Sequence, residues 1–356
     1  MKKWIASIGC ILSFICLSCS SDENGQQYIA TPSPLQIPQL FEDNIIPPVI
    51  PLNNPQTVEG ISLGKKLFFD PILSADHSQA CADCHSPENA FTDSSRFSVG
   101  IDGLLGNRNS MPIFNLAWNY NEKFFWDGRE FGLENQALKP VTNPIEMHNN
   151  WGTVATRLQQ DSEYPLLFQQ AFGTTTIDST QVTKAIAQFE RTLISANSKF
   201  DRHLLGTETL TPQELNGFNV FMNEDKGDCF HCHGNPNNPL WTDNIFHNNG
   251  LDAVLVDFGL GLVTGDPADN GKFKSPSLRN LAFSAPYMHD GRFNTLDEVI
   301  NHYSEGLQDS PTIDPLMKKV AEGGVQLSDE DKADLKAFLL SLSDYSFINN
   351  PDFQNQ

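Results

Sequence analysis

Basic residues are scarce in this sequence. Its 356 residues include 23 lysines and arginines against 44 aspartates and glutamates, which gives a formal net charge of −21. A surface of that sign argues against a nucleic-acid partner, because phosphate backbones are bound by positive side chains. It favours a small basic protein as a partner, since opposite charges speed encounter, although the same acidity also promotes solubility on its own.

Long hydrophobic runs are scarce as well. One apolar run extends from Trp4 to Leu17 and follows the basic residues Lys2 and Lys3. It is too short to span a bilayer comfortably as a helix of the mature protein. The pattern is typical of a signal peptide, which we assign to residues 1–18.

The end of this run indicates how the chain is anchored. Ser18 precedes Cys19, and the pair resembles the cleavage site of a bacterial lipoprotein. Cys16 stands where a leucine is usual, so an ordinary signal peptide cut nearby is the alternative. We expect a lipid on Cys19 and a periplasmic or cell-envelope location. Residues 19–40, polar and containing prolines, are expected to form a flexible tether.

Cysteine is scarce too, and none is left over for a disulfide. Of seven cysteines, Cys10 and Cys16 lie in the predicted signal peptide and Cys19 is the predicted lipid site. The other four occur in two identical arrangements, Cys81-Ala82-Asp83-Cys84-His85 and Cys229-Phe230-His231-Cys232-His233. Exported proteins usually place their cysteines in disulfides, so these four are expected to have another covalent role.

The arrangement C-x-x-C-H is the attachment signal of c-type haem. Each thiol can form a thioether with a haem vinyl group, and the histidine that follows can bind the iron. A four-cysteine zinc site is the alternative, but it leaves the histidine after each pair unexplained. A thioredoxin-like redox pair is disfavoured, because no strand–helix–strand pattern surrounds either motif. The sequence therefore predicts two covalent haem c groups.

Helix signals surround both motifs. Capping residues followed by apolar positions at helical spacing predict three helices, which begin at Asp178 with Gln181, at Thr211 with Glu214, and at Ser328. A helix over 60–69 is expected to precede Cys81 as the second of these precedes Cys229. We therefore predict a mainly α, loop-rich fold of two cytochrome c-like helical domains, each with one covalently bound haem c.

The expected domain boundaries follow from these signals. After the signal peptide and the tether, the chain is predicted to contain an N-terminal cytochrome c-like domain with the peroxidatic haem (41–203), a C-terminal cytochrome c-like domain with the electron-transfer haem (204–345), and a short tail (346–356). The names of the two haems rest on the resemblance described next.

Several motifs occur in an order that resembles the bacterial di-haem cytochrome c peroxidase family, which includes MauG-like proteins. They are Leu63-Gly64-Lys65-Lys66-Leu67-Phe68-Phe69-Asp70, the first C-x-x-C-H, Phe125-Trp126-Asp127-Gly128-Arg129, Glu190-Arg191-Thr192-Leu193, the second C-x-x-C-H, and Ala285-Pro286-Tyr287-Met288-His289-Asp290-Gly291. The resemblance covers roughly residues 40–345.

The resemblance implies a function. Members of this family reduce hydrogen peroxide to water in the periplasm, with electrons from a small redox protein such as a cytochrome c or a cupredoxin. A cytochrome-c peroxidase is therefore the leading expectation. MauG-like long-range oxidation of a protein substrate and a non-enzymatic di-haem electron carrier are the alternatives. Both a monomer and a homodimer remain open.

The resemblance also assigns roles to the two haems. It implies that the haem on Cys81 and Cys84, with His85 on its iron, is peroxidatic. It implies that the haem on Cys229 and Cys232, with His233 on its iron, transfers electrons. Trp126 resembles the tryptophan that lies between the two haems, and the alternative is a large aromatic side chain that packs at an interface.

Proton transfer and metal binding are implied in the same way. Glu146 matches the distal glutamate of the family, and Gln136 matches the neighbouring distal glutamine. Asn109 matches a side-chain ligand of a calcium ion between the domains, and the backbone carbonyls of Ser284 and Pro286 match the other ligands.

Two departures from the usual family pattern concern iron ligands. Ile101 falls where many members have a histidine that caps the peroxidatic iron, and no histidine occurs between His85 and His148. His148 itself is the one residue expected to be able to replace that cap.

Tyr303 falls where the usual methionine ligand of the electron-transfer haem aligns. A phenolate ligand would lower the potential of that haem. Met288 and His302 are alternative ligands, and an ordinary buried tyrosine is the alternative role for Tyr303.

Overall fold

A computed structural model describes residues 29–355 of the chain. The predicted signal peptide, with Cys10 and Cys16, and the predicted lipid site Cys19 lie outside the described residues. The last part of the segment 19–40 lies within them and is bonded to the folded chain. The backbone nitrogen of Thr31 donates to the carboxylate of Glu59 at 2.9 Å. Pro32 forms an antiparallel bridge with Thr57.

The described residues are mainly helical. Their α-helices are α1 (Gln39–Asn44), α2 (Val58–Phe69), α3 (Cys81–Cys84), α4 (Leu133–Thr142), α5 (Trp151–Gln160), α6 (Tyr164–Phe172), α7 (Ser179–Thr192), α8 (Lys199–Leu204), α9 (Pro212–Met222), α10 (Phe230–His233), α11 (Gly261–Thr264), α12 (Leu296–Glu305), α13 (Asp329–Ser341) and α14 (Tyr345–Ile348). The described residues also contain two antiparallel pairs of short strands. In these pairs, β1 (Lys123–Phe124) lies beside β2 (Glu130–Phe131), and β3 (Phe246–His247) lies beside β4 (Phe273–Lys274). Single turns of 3-10 helix occur at Pro71–Leu73, Pro87–Asn89, Leu116–Trp118, Pro267–Asp269, Val320–Glu322 and Pro351–Phe353. No helix in residues 29–355 is long and apolar enough to cross a membrane.

The predicted helix starts are confirmed. The carboxylate of Asp178 accepts hydrogen bonds from the first turn of α7, and Gln181 bonds back to the Asp178 backbone. Thr211 and Glu214 form the same reciprocal box at the start of α9, where Pro212 occupies the first helical position. Ser328 caps α13. These caps satisfy N–H groups that have no partner inside the helix.

Two helix pairs repeat the same packing. A β-carbon at Gly64 of α2 would lie 1.9 Å from the carbonyl oxygen of Ala185 in α7, and one at Gly217 of α9 would lie 1.9 Å from that of Asp334 in α13. Only glycine therefore permits either crossing. One turn after each glycine, a phenylalanine meets a phenylalanine of the partner helix, with ring centroids 5.3 Å apart for Phe68–Phe189 and 5.1 Å apart for Phe221–Phe338. The prediction of two similar helical domains is confirmed.

Each helix pair carries its own hydrophobic core. The first core includes Leu67, Phe91 and Leu193, and the second includes Phe200 and Leu335. The chain passes from one core to the other between Leu193 and Phe200.

The chain later returns to the first core. Phe347 of α14 packs there against Phe91 and Phe114, with ring centroids 5.6 and 5.7 Å apart. In sequence, the first core thus includes residues that precede the second core and residues that follow it.

Candidate active site

A first cavity opens beside the first C-x-x-C-H motif. It has a volume of about 1530 Å³ including its mouth, and both Cys84 and His85 line it. The His85 ring lies with Nδ1 2.9 Å from the carbonyl oxygen of Phe91. A carbonyl only accepts hydrogen bonds, so Nδ1 carries the proton and Nε2 is the nitrogen available to a metal. Burial lowers the pKa of His85, which favours the neutral form that binds metals.

The thiols beside this cavity are free. Cys81 and Cys84 form no disulfide, and the same is true of Cys229 and Cys232. Burial raises the pKa of Cys81, and it raises that of Cys84 to about 11. Two unpaired thiols, a histidine with its outer nitrogen bonded to the backbone, and a large adjoining cavity fit a covalently attached haem.

The side chains matched to proton transfer meet in this cavity. Gln136 of α4 and Glu146 line the same space as His85. The Glu146 carboxylate accepts a hydrogen bond of 2.6 Å from the side-chain amide of Asn143. Burial raises the pKa of Glu146 above its ordinary value, against the opposing effects of Asn143 and of the Arg129 charge. Such a carboxyl group is suited to both taking and returning a proton.

The loop without a capping histidine packs directly on Glu146. The backbone nitrogen of Ile101 donates to the carbonyl oxygen of Glu146 at 3.0 Å. A β-carbon at Gly100 would lie 1.8 Å from the carbonyl oxygen of Ile145, so glycine is required at this close approach. Ile101 is not among the residues that line the cavity, whereas its neighbours Val99 and Gly100 are.

His148 lies outside the first cavity. Its Nδ1 pairs with the carboxylate of Asp102, and 56% of its side chain is exposed. Among the described residues that line the first cavity, His85 is the only histidine. The pairing with Asp102 thus holds at the surface the one residue that was expected to be able to replace the missing cap.

A second cavity of about 1650 Å³, including its mouth, lies beside the second motif. Cys229, Cys232 and His233 line it. The Nδ1 of His233 lies 3.1 Å from the carbonyl oxygen of Pro276, which repeats the arrangement of His85. Burial lowers the pKa of His233 to about 4 and raises that of Cys229 to about 12. These residues also fit a covalently attached haem.

The candidate sixth ligands of the second site differ in position. Tyr303 and Met288 both line the second cavity, and His302 does not. The Nε2 of His302 instead lies 3.1 Å from the backbone carbonyl oxygen of Asn249. Burial raises the pKa of Tyr303 to about 12, although a hydrogen bond from Asn249 acts in the opposite direction. A metal charge is what would favour the ionised phenol there.

Trp126 lies in the wall between the two cavities and lines both. Its position follows from its motif, in which Asp127 binds Arg108 at 2.6 Å and Arg129 at 2.9 Å. Gly128 follows at φ 69°, and a β-carbon there would lie 2.4 Å from the ring of Phe246. The ring of Trp126 is 8% exposed.

The residues matched to calcium ligands line one cavity. Asn109, Ser284 and Pro286 all line the second cavity. The side-chain nitrogen of Asn109 lies 3.1 Å from the carbonyl oxygen of Ser95 and 3.3 Å from that of Arg96. The N–H groups of the Asn109 side chain therefore donate to backbone carbonyl oxygens of the protein.

Two charged side chains at these cavities were not anticipated from the sequence. Lys274 lines both cavities, is 5% exposed and lies over the rings of Phe124 and Phe246 at 5.4 and 6.0 Å. Burial lowers its pKa to about 7. Arg108 lines the first cavity. A lone lysine or arginine in a loop usually lies at the surface, so the sequence carried no signal for either.

His247 was not anticipated either. It lines the second cavity and lies between the carboxylates of Asp243 and Asp314, at 2.8 and 2.6 Å. Its pKa rises to about 11 although burial opposes the charge. Cys232, Asp243 and His247 are close enough together to hold a metal ion, but Cys232 belongs to the haem motif.

The chain is similar to several known proteins. A family model described as di-haem cytochrome c peroxidase matches residues 58–209. The methylamine utilization protein MauG of Methylophilus methylotrophus is 37% identical over 82% of this chain and 84% of its own length. The cytochrome-c peroxidase IdrP1 of Pseudomonas sp. (strain SCT) is 33% identical over 84% of each chain. The crystal structure of a MauG-like protein associated with microbial copper homeostasis is 34% identical, with a TM-score of 0.81 over 90% of this chain and 98% of that one.

Proposed function

The chain belongs to the di-haem cytochrome c peroxidase family, and we propose that it reduces hydrogen peroxide to water at the first cavity. The family implies two c-type haems, and the two C-x-x-C-H motifs are where they attach. One observation carries the proposal. The first cavity combines His85 with the half-buried Glu146 and Gln136, and no second histidine lines it among the described residues.

Each residue at this cavity has a chemical task. The bound haem supplies an iron that exchanges electrons with peroxide. His85 would hold that iron, with its ring fixed by the Phe91 carbonyl. Glu146 would take a proton from one oxygen of peroxide and return it to the oxygen that leaves as water. Gln136 donates a hydrogen bond to the oxygen atoms and keeps them oriented.

Electrons are proposed to come from the second haem. Reduction of peroxide to two waters consumes two electrons and two protons, and Trp126 lies in the wall that those electrons must cross. The donor is proposed to be a small basic redox protein of the cell envelope, a cytochrome c or a cupredoxin. The net charge of −21 supports that match. Anchoring through a lipid on Cys19 remains part of the proposal, as does the calcium site at Asn109, Ser284 and Pro286.

A second candidate function is MauG-like oxidation of a protein substrate. One observation favours it: a tyrosine, Tyr303, lines the second cavity at the position of the family's usual methionine ligand. A phenolate ligand lowers a haem potential, which suits stored oxidising equivalents better than fast delivery of electrons. A non-enzymatic carrier is disfavoured, because such a protein needs both irons capped.

Steady-state turnover separates the two functions. The purified di-haem protein is mixed with reduced cytochrome c or a reduced cupredoxin and hydrogen peroxide, and oxidation of the donor is followed by absorbance. Sustained oxidation that requires peroxide supports the peroxidase. No turnover with either donor, together with peroxide-dependent modification of a co-expressed partner protein, would favour the MauG-like function instead.

A further inference from the structure

The side-chain amide of Asn249 lies between two candidate ligands of the second iron. Its nitrogen is 3.1 Å from the phenol oxygen of Tyr303 and 3.5 Å from the sulfur of Met288. Both of those side chains line the second cavity, and so does Asn249. An amide nitrogen carries two N–H groups, so one residue can contact both side chains at once.

The backbone of Asn249 contacts the third candidate. Its carbonyl oxygen lies 3.1 Å from Nε2 of His302, which is buried. Because a carbonyl only accepts, that nitrogen must carry a proton, and a protonated ring nitrogen cannot bind a metal. Asn249 therefore contacts all three candidate ligands and occupies Nε2 of His302, a residue that does not line the second cavity.

The loop that carries Asn249 is firmly held, as a positioning residue requires. The side chain of the preceding residue, Asn248, is 2% exposed and donates to the hydroxyl groups of Ser310 and Thr312 at 3.0 and 2.9 Å. The following residue, Gly250, has φ 66°, and its carbonyl oxygen accepts from the backbone of Gln308 at 2.8 Å. Both neighbours of Asn249 are thus fixed to the same segment.

The chemistry of the amide favours one ligand over the other. An N–H group donates more strongly to an anionic oxygen than to a neutral acceptor, and a thioether sulfur is a weak acceptor. A phenolate oxygen has lone pairs enough to bind iron and accept an N–H at the same time. The amide therefore stabilises a phenolate at this position much more than it stabilises a thioether.

We propose that Asn249 is a positioning residue that selects Tyr303, rather than Met288 or His302, as the sixth ligand of the second haem iron. The proposal rests on the haem content of the proposed function, but not on peroxide as the substrate. It names a residue outside the C-x-x-C-H motif that determines the potential of the second haem.

The test compares four variants of the di-haem protein. Asn249→Asp keeps the shape and removes both N–H groups, and Asn249→Leu removes them without adding a charge. Tyr303→Phe and Met288→Leu each remove one candidate ligand. For each variant, denaturing mass spectrometry counts the haems, visible and EPR spectra of the oxidised protein report phenolate ligation, and redox titration gives the potential of the second haem.

The expected pattern is specific. Tyr303→Phe loses the phenolate-to-iron absorption, and Met288→Leu keeps it. Both Asn249 variants keep two haems, lose most of that absorption and shift the second potential upward, towards that of a thioether-ligated haem.

Two results would overturn the proposal in different ways. If Tyr303→Phe leaves the spectra unchanged, Tyr303 is not the ligand, and the choice ascribed to Asn249 does not exist. If Tyr303→Phe changes the spectra but both Asn249 variants match the wild type, Tyr303 is selected without Asn249. Peroxide turnover is measured separately, so failure of the proposed peroxidase activity changes neither reading.

Discussion

The indole nitrogen of Trp126 donates a hydrogen bond of 2.8 Å to the backbone carbonyl oxygen of Asn109. The backbone carbonyl oxygen of Trp126 accepts a second hydrogen bond, of 2.8 Å, from the backbone nitrogen of Lys274. Trp126 is therefore held through both its ring and its backbone in the wall that separates the two cavities. An aromatic ring held in this way would offer a fixed path for the proposed electron transfer between two haems.

Substitution of Trp126 tests that path. Trp126→Phe loses the bond to Asn109 and part of the ring, so we expect slower electron transfer between the haems and a loss of about 1–3 kcal/mol in stability. Stopped-flow reduction of the second haem, followed by oxidation with peroxide, measures the transfer. Trp118→Phe is the matched control, because Trp118 is fully buried and lines neither cavity. Equal transfer rates in the two variants would remove Trp126 from the path.

Glu146 is predicted to be the proton-transfer group. Glu146→Gln keeps the shape of the side chain and removes the base, so turnover is expected to fall by about 10²-fold or more. The haem spectra should change little. Glu88→Gln, at an exposed glutamate of the same domain, should leave turnover unchanged. Wild-type turnover in the Glu146→Gln protein would show that Glu146 is not the proton-transfer group.

The acid limb of the pH profile should belong to the same group. Burial raises the pKa of Glu146, so its carboxylate becomes protonated at a higher pH than that of an ordinary glutamate. The kcat/KM for peroxide should therefore fall as the pH decreases through that raised pKa. Glu146→Gln should abolish this limb, and a limb that persists in the variant would assign it to another group.

Local features of this molecule could be predicted from sequence, and long-range contacts could not. The capping residues at Asp178 and Thr211 act on their own helices, so their effect is encoded within a few positions. The haem motifs are equally local. By contrast, apolar periodicity shows that a helix face is buried but not what covers it, and nothing near Phe347 indicated that it packs in the first core.

The site divides in the same way. Family motifs led to Glu146, Gln136 and Trp126, and these residues do line the first cavity. The contacts of Asn249 depend on the meeting of three separate segments, and no motif in the sequence describes such a meeting.

The first iron is predicted to be open in the resting protein. Ile101 falls where the family resemblance expects a capping histidine, and His148 is held by Asp102 outside the cavity. The oxidised protein should therefore react with peroxide at once, without prior reduction, and the first haem should be largely high-spin. Stopped-flow absorbance and EPR measure both properties. A reaction that begins only after one electron is added, with two low-spin signals, would show that the iron is capped, and His148→Ala would identify the cap.

The two haems should be separable by mutation. Because thioether bonds survive unfolding, denaturing mass spectrometry should find the mass of two haems on the wild-type chain. Replacement of Cys81 and Cys84 together by alanine should remove one haem and all peroxide reduction. Replacement of Cys229 and Cys232 should remove the other haem. Full turnover in the first double variant would reverse the roles of the two sites.

The two glycine crossings should be equally sensitive to an added methyl group. Gly64→Ala and Gly217→Ala each place a β-carbon 1.9 Å from a backbone oxygen, so each should destabilise the protein by roughly 1–3 kcal/mol. Gly152→Ala in α5 is the control, since its β-carbon would lie 3.3 Å from the Asn150 side chain. It should stay within about 1 kcal/mol of the wild type. Guanidinium unfolding measures the free energy of unfolding of all three variants. If Gly64→Ala and Gly217→Ala leave it unchanged, the proposed close helix crossings are wrong.

The return of Phe347 to the first core also determines the order of assembly. A chain that emerges from the ribosome or a translocation pore with its N-terminus first presents both C-x-x-C-H motifs before α14 can dock. Phe91 and Phe114, which Phe347 covers, remain open until then. Cys81 packs against the same core. The first core is therefore complete only once α14, near the C-terminal end of the described residues, has docked.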